Sequence, residues 1–96
     1  MALLTQDEVD EALEGDLEDW TQDGDTITRE VEARSFPDGI GLVERVGAAA
    51  EERDHHPDID IRFTTLTFVL STHSEGGITE KDLDLAREID RLVESA

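Results

Sequence analysis

The three histidines of this chain fall in two short clusters. His55 and His56 are adjacent and precede Pro57, and His73 stands further along, between a threonine and a serine. Histidine is the side chain whose unperturbed pKa lies closest to neutral, so several imidazoles in one place indicate proton transfer or metal binding. We expect the function to reside where these two clusters meet.

Metal binding is the less favoured of the two chemistries. The chain has no cysteine, which removes disulfides, thiolate nucleophiles and cysteine-based zinc or iron–sulfur sites. A site of three histidines is still a rival, but adjacent His55 and His56 should point in different directions, and the two-on-one-helix-face spacing of zinc enzymes is missing. Taken singly, each histidine could also be an ordinary surface or turn residue.

Length and charge limit the class of protein. The 96 residues predict one compact domain spanning residues 1–96. With 26 acidic and 8 basic side chains the formal net charge is −18, so free nucleic acid should be repelled and no direct nucleic-acid partner is expected. So acidic a surface is also typical of a salt-adapted, halophilic protein, although it is compatible with an ordinary, highly charged soluble one.

Residues 1–5 contain neither a basic region nor an apolar run long enough for a signal peptide or a membrane span. We therefore expect a cytoplasmic location and no membrane partner.

A helix and a hairpin are predicted for the first third of the chain. Residues 5–8 resemble a capping box, and the short apolar stripe that follows ends before Gly15. The polar cluster at 21–25 carries a turn signal between two alternating segments. It predicts a hairpin with Trp20 on its first strand and Val31 on its second.

The paired histidines should lie in the exit turn of a second helix. From Phe36 to about Arg53 the apolar residues recur at intervals of three and four, which is the helical period. Pro57 cannot continue a helix and disfavours helical geometry at His56. Side chains at such an element end can converge on a site.

The pattern in the last third of the chain predicts two strands and a helix. Residues 59–73 alternate in two opposite phases, and the slip near Thr64-Thr65 indicates a break into two strands, the second ending at His73. A capping box at 79–82 then opens the last helix. The result is an α+β domain, a four-stranded antiparallel sheet with three helices packed on one face. Its open edges favour dimerisation.

Three carboxylates stand near the histidines in this plan. Glu51, Asp54 and Asp82 could orient the imidazoles or hold them charged. Asp82 also occupies the third position of the last helix, and Asp54 follows the second helix, so either could simply cap or hydrogen-bond locally. Trp20 is more typical of a core residue than of a ligand platform.

Two segments at a fixed separation carry a family signature. They are Glu51-Glu52-Arg53-Asp54-His55-His56-Pro57 and Ser71-Thr72-His73-Ser74, with Phe63 between them and Asp82 after them. This arrangement resembles the signature of the pterin-4a-carbinolamine dehydratases. The resemblance extends from Trp20 to Ile89.

The resemblance implies a small α+β subunit that forms a homodimer or homotetramer. Such a protein dehydrates 4a-hydroxytetrahydropterin to the quinonoid dihydropterin by histidine acid–base catalysis, with a pterin substrate and without metal or organic cofactor. By the same resemblance, the catalytic set is His55, His56 and His73, the pterin pocket is lined by Asp54, Ser71, Thr72 and Ser74, and Glu51, Asp82 and Trp20 are supporting residues.

Two departures and one alternative stay open. Ile59 stands where many members carry tryptophan, and Phe63 lacks the hydroxyl of the commoner tyrosine, so the natural pterin is undetermined. The alternative is a non-enzymatic protein-binding module that acts through its oligomer surface, as the resemblance implies for animal members with a coactivator role. Which histidine is the acid and which the base is also open.

Overall fold

The computed structural model describes residues 2–96 and has the predicted α+β architecture. Its elements, in chain order, are α1 (Gln6–Glu14), β1 (Thr21–Asp23), β2 (Thr26–Glu32), α2 (Phe36–Arg53), β3 (Asp58–Arg62), β4 (Thr65–Leu70) and α3 (Glu80–Glu94). Three helices and a four-stranded antiparallel sheet are thus present in this part of the chain.

The four strands lie in the order β1-β2-β4-β3, and every neighbouring pair is antiparallel. Alternate residues of the central strands are buried, with Val31 opposite Leu66 and Ile27 opposite Leu70. Because strand side chains alternate between faces, this pattern gives the sheet one covered face and one open face. The core lies between the covered face and the helices.

The predicted capping boxes form at both terminal helices. The Thr5 hydroxyl accepts from the Glu8 N–H, and the Glu8 side chain accepts from the Thr5 N–H. Thr79 and Asp82 make the equivalent exchange at α3. None of the described helices is long and apolar enough to cross a membrane.

The phase slip in the second half of the chain is a tight turn. Arg62 pairs with Thr65, which leaves Phe63 and Thr64 as the turn between β3 and β4. Phe63 has φ 55° and is 76% exposed. The left-handed backbone conformation is unfavourable for a bulky side chain, and it is adopted mainly by glycine and asparagine.

One strand is shorter than the sequence predicts. β4 ends at Leu70, and His73 instead begins a single 3₁₀ turn that ends at Glu75. The loop closes on itself because the Thr72 N–H donates to the Gly77 carbonyl at 2.8 Å. Pairing with β3 ceases at Val69, opposite Asp58, so nothing on that side holds residues 71–73 extended.

The hairpin also begins one residue later than predicted. Trp20 precedes β1, which starts at Thr21, while Val31 lies on β2 as expected. The Trp20 N–H donates to the Leu17 carbonyl at 3.0 Å. This turn contact takes the backbone donor that a strand residue would have offered to β2.

Candidate active site

The sheet register brings the two histidine segments to the same end of the sheet. Asp58 at the start of β3 lies opposite Val69 near the end of β4. The link 54–57 therefore enters the sheet where the segment 71–74 leaves it. An antiparallel pair has this consequence for any two segments that flank its open end.

The end of α2 turns the two neighbouring histidines in different directions. Asp54 adopts the left-handed conformation with φ 51°, and the His55 N–H donates to the Ala50 carbonyl at 3.1 Å. This is the Schellman pattern that ends many helices. His55 is only 9% exposed, whereas the His56 side chain is 56% exposed. The expectation that adjacent histidines diverge is confirmed.

His55 meets a carboxylate that is completely buried. Its Nε2 lies 2.6 Å from Oδ1 of Asp82, whose exposure is 0%. The other oxygen, Oδ2, accepts the Thr72 hydroxyl at 2.8 Å and the Thr79 N–H at 2.9 Å. A buried carboxylate needs such partners to offset its lost hydration, and the N-terminal end of α3 adds a favourable dipole.

The sequence predicted Thr79 as the first residue of the α3 capping box and not as a site residue, yet it belongs to this network. Its hydroxyl lies 2.8 Å from the Thr72 hydroxyl, and both side chains are buried. The signal that could have identified it was the capping box, because the carboxylate of a capping box bonds the N-cap backbone. Here Asp82 caps α3 with one oxygen and holds His55 with the other.

His56 has a carboxylate partner of a different kind. Its Nε2 lies 2.9 Å from Oε1 of Glu51, and the two side chains are 56% and 80% exposed. Solvent-exposed pairs of this kind contribute little to stability. The surroundings therefore constrain His56 less than the buried His55.

His73 lies on the exposed 3₁₀ turn, and within residues 2–96 its side chain makes no hydrogen bond or ion pair. Ser74 beside it is also exposed. The Ser71 hydroxyl donates to the Asp25 carbonyl at 2.8 Å, which ties the start of this loop to the β1–β2 turn. Asp54, in the other segment, is exposed at the end of α2.

Trp20 takes part in a separate contact. It is 2% exposed, and its indole N–H donates to Oδ1 of Asp90 at 2.8 Å. Its polar partner is thus in the second half of α3 rather than among the histidines. These contacts favour a role in the core.

No group of three histidine, cysteine or acidic side chains within residues 2–96 has the arrangement of a metal site. Two surface grooves, of about 500 and 700 Å³, are lined by other parts of the chain and include none of the histidines. The sheet register places the histidine site at a rim at one end of the sheet, with one buried wall formed by His55, Thr72 and Asp82.

Comparison with known proteins identifies the family to which the chain belongs. A model of the family described as "Pterin 4 alpha carbinolamine dehydratase" matches residues 2–92. A protein of Nocardia farcinica named "Putative pterin-4-alpha-carbinolamine dehydratase" is 59% identical over 91 residues, 95% of each chain. A protein of Mycobacteroides abscessus with the same name is 60% identical over 93 residues, 97% of this chain and 98% of its own.

Solved structures agree with the fold. A transcriptional coactivator/pterin dehydratase from Brucella melitensis superimposes with a TM-score of 0.90 at 32% identity, over 95% of this chain and 98% of that one. A pterin dehydratase-like RuBisCO assembly factor of the alpha-carboxysome, 18% identical with a TM-score of 0.66 over 80% of this chain and 89% of that one, shares the fold. The chain belongs to the pterin 4 alpha carbinolamine dehydratase family.

Proposed function

We propose that this protein is a hydro-lyase that removes water from a 4a-hydroxytetrahydropterin and releases the quinonoid dihydropterin. The family supports a pterin substrate, and the histidine site supplies groups suited to the reaction. The observation that carries the proposal is the 2.6 Å contact between His55 and the fully buried Asp82. A carboxylate-bound imidazole at a site rim is a typical arrangement for proton transfer.

The elimination needs one base and one acid. The C4a–O bond breaks and the departing hydroxide takes a proton to become water, while the proton on N5 is removed and its electron pair forms the N5=C4a double bond. A neutral imidazole can accept the N5 proton and an imidazolium can donate to the leaving oxygen. We assign this work to His55, His56 and His73, without metal or organic cofactor.

The remaining site residues take different parts in this proposal. Asp54, Ser71 and Ser74 flank the histidines and would contact the pterin. The Thr72 hydroxyl is engaged by Asp82, so we place its contribution in the buried wall. Glu51 supports His56, Asp82 supports His55, and Trp20 supports the core beneath.

The direct test is a dehydration assay with a synthetic 4a-hydroxytetrahydropterin at high salt. The wild-type chain should exceed the buffer rate, and His55→Ala or His73→Ala should lower kcat/KM about a hundredfold, the usual scale for loss of an acid or base. Glu94→Gln, at the far end of α3, is the matched control. A wild-type rate equal to the buffer rate would refute the proposal that the protein is an enzyme. It would favour the alternative of a protein-binding module.

We also propose that two copies associate through β3, which is an edge of the sheet. Ile61 is 39% exposed and the neighbouring Phe63 is 76% exposed. An open edge with exposed apolar side chains is a pairing surface unless it is covered. A homodimer would cover both the edge and these side chains.

The charges on β3 favour one register for this dimer. Antiparallel pairing centred on Ile61 places Asp60 opposite Arg62 twice and brings Ile59 towards Phe63 of the second copy. Pairing centred on Asp60 would place two carboxylates opposite each other, which is destabilising. Since each chain carries a net charge of −18, association should need salt to screen the remaining repulsion.

A cytoplasmic location stays a prediction.

A further inference from the structure

The two nitrogens of the His55 ring have different surroundings. Nε2 lies inside the protein against Asp82, at 2.6 Å. Nδ1 has no hydrogen-bond partner among the described residues. Which nitrogen carries the proton of the neutral ring depends on what each one faces.

The donors around Asp82 determine the proton on Nε2. Oδ2 already accepts the Thr72 hydroxyl and the Thr79 N–H, and both donors, with the N-terminus of α3, favour the ionised carboxylate. An ionised carboxylate only accepts. Nε2 must then be the donor in the contact with Oδ1.

The direction of the next hydrogen bond, between the Thr72 and Thr79 hydroxyls, follows as well. The Thr72 hydroxyl has a single proton, which it gives to Asp82, so in its 2.8 Å contact with Thr79 the Thr79 hydroxyl is the donor. Thr79 therefore fixes the Thr72 hydroxyl, and Thr72 fixes the carboxylate. Every hydrogen in this chain of contacts is directed towards Asp82.

Nδ1 of His55 is the nitrogen that faces the exterior. Within residues 2–96 every buried side-chain nitrogen or oxygen has a hydrogen-bond partner, and Nδ1 has none, so this atom is reached by solvent. The remaining 9% exposure of His55 thus includes the lone pair that the buried wall leaves free.

We infer that His55 exchanges its proton with the ligand through Nδ1, and that Asp82, oriented by Thr72 and Thr79, is the positioning residue that keeps the neutral ring in the Nε2–H form. Only the identity of the ligand rests on the proposed function. The form of the ring follows from the contacts alone.

The isosteric Asp82→Asn variant should switch the neutral His55 ring to its other tautomer. The side-chain amide has one acceptor, its oxygen, and the Thr72 and Thr79 donors should hold that oxygen at the Oδ2 position. Its NH₂ then faces Nε2 as a donor, which moves the ring proton to Nδ1. His55 would present an N–H to the ligand in place of a lone pair.

The test is NMR of the full chain labelled with ¹⁵N-histidine, at a pH where the imidazoles are neutral. Only three rings contribute, and single His56→Gln and His73→Gln variants assign them. We expect protonated Nε2 at His55 in the wild type and protonated Nδ1 in Asp82→Asn. Glu51→Gln, the matched change at His56, should leave the His55 signals unchanged.

The outcomes separate this inference from the proposed function. An Nδ1–H form in the wild type, or no change in Asp82→Asn, would overturn the inference even if the protein dehydrates pterins. An Nε2–H form that reverses in the variant would support it even if the protein shows no dehydratase activity. Where activity is present, Asp82→Asn should lower kcat at least about a hundredfold, and an unchanged kcat would also overturn it.

Discussion

Trp20 and Asp90 are joined by a 2.8 Å hydrogen bond across seventy residues of sequence. The same carboxylate oxygen accepts from Arg29 at 2.5 Å, and Arg29 and Asp90 are only 15% and 16% exposed. One side chain of α3 thus connects the residue before β1 with the middle of β2. This contact closes the covered side of the sheet near its β1 edge.

Removing this carboxylate should destabilise the fold. Asp90→Ala leaves the buried indole N–H and the Arg29 guanidinium without their shared acceptor, and should lower the free energy of unfolding by about 2 kcal/mol. Urea denaturation followed by Trp20 fluorescence measures the loss. Glu94→Ala on the same helix should change stability by less than about 0.5 kcal/mol. Equal losses in the two variants would contradict the prediction.

The two histidine–carboxylate contacts should differ strongly in their effect on stability. Asp82→Ala leaves the buried His55 ring and the Thr72 hydroxyl without their acceptor and should lower the free energy of unfolding by about 3–5 kcal/mol, since each buried donor without a partner costs about 1–3 kcal/mol. Glu51→Ala removes the exposed partner of His56 and should lower it by less than about 1 kcal/mol. Urea denaturation of both variants is the measurement. A small effect at Asp82 would show that its buried contacts contribute little.

Stability should increase with salt. The net charge of −18 causes self-repulsion in the folded state, and screening shortens its range to about 3 Å at 1 M salt. The thermal midpoint, measured by circular dichroism, should rise from low to molar sodium chloride. A variant of α1 with Asp7→Asn, Asp10→Asn and Glu11→Gln should respond less steeply. A midpoint that stays constant in the wild type would refute salt adaptation.

Glu32 should give a specific response to acid. The hydroxyls of Thr64 and Thr65 donate to its carboxylate and hold the pKa of Glu32 below its ordinary 4.5. A group whose pKa is lowered by folding stabilises the fold above its unfolded-state pKa, and this contribution is lost as the pH falls through the folded-state value.

The measurement compares the wild type with Thr64→Val by urea denaturation between neutral pH and about pH 3. The stability difference should be constant near neutrality and shrink as the pH falls below 4.5. Because Thr64→Val changes no charged residue, the overall charge repulsion is the same in the variant and the wild type and cancels in the comparison. Thr67→Val, on the face of β4 that also carries Thr65, should show no such dependence. A pH-independent difference for Thr64→Val would contradict the prediction.

The proposed dimer can be tested by exchanging charges on β3. In the Ile61-centred register, Arg62→Asp places carboxylates opposite Asp60 and should abolish association. Adding Asp60→Arg reverses both pairs and should restore it. Sedimentation velocity at moderate salt measures the oligomeric state. A wild-type monomer, or an Arg62→Asp variant that associates like the wild type, would exclude this register.

Most element boundaries follow from local signals in the sequence. The boxes that begin at Thr5 and Thr79 start α1 and α3, and the helical period from Phe36 to Arg53 matches α2. The phase slip at Thr64-Thr65 marks the β3–β4 turn. Such features depend on neighbours within a few residues, so the chain itself contains the information. The prediction that β4 ends at His73 was wrong, because the end of this strand depends on where pairing with β3 stops.

By itself, therefore, the sequence determined the elements, the family signature and the candidate histidines, since these depend on local order and spacing. Only the tertiary structure decided that His55 is buried and His56 exposed, that Asp82 is both a helix cap and the partner of His55, and that Trp20 bonds Asp90. The physical reason is that burial and hydrogen-bond partners arise from packing between elements distant in sequence. A capping box looks the same in the sequence whether its second oxygen faces water or an imidazole.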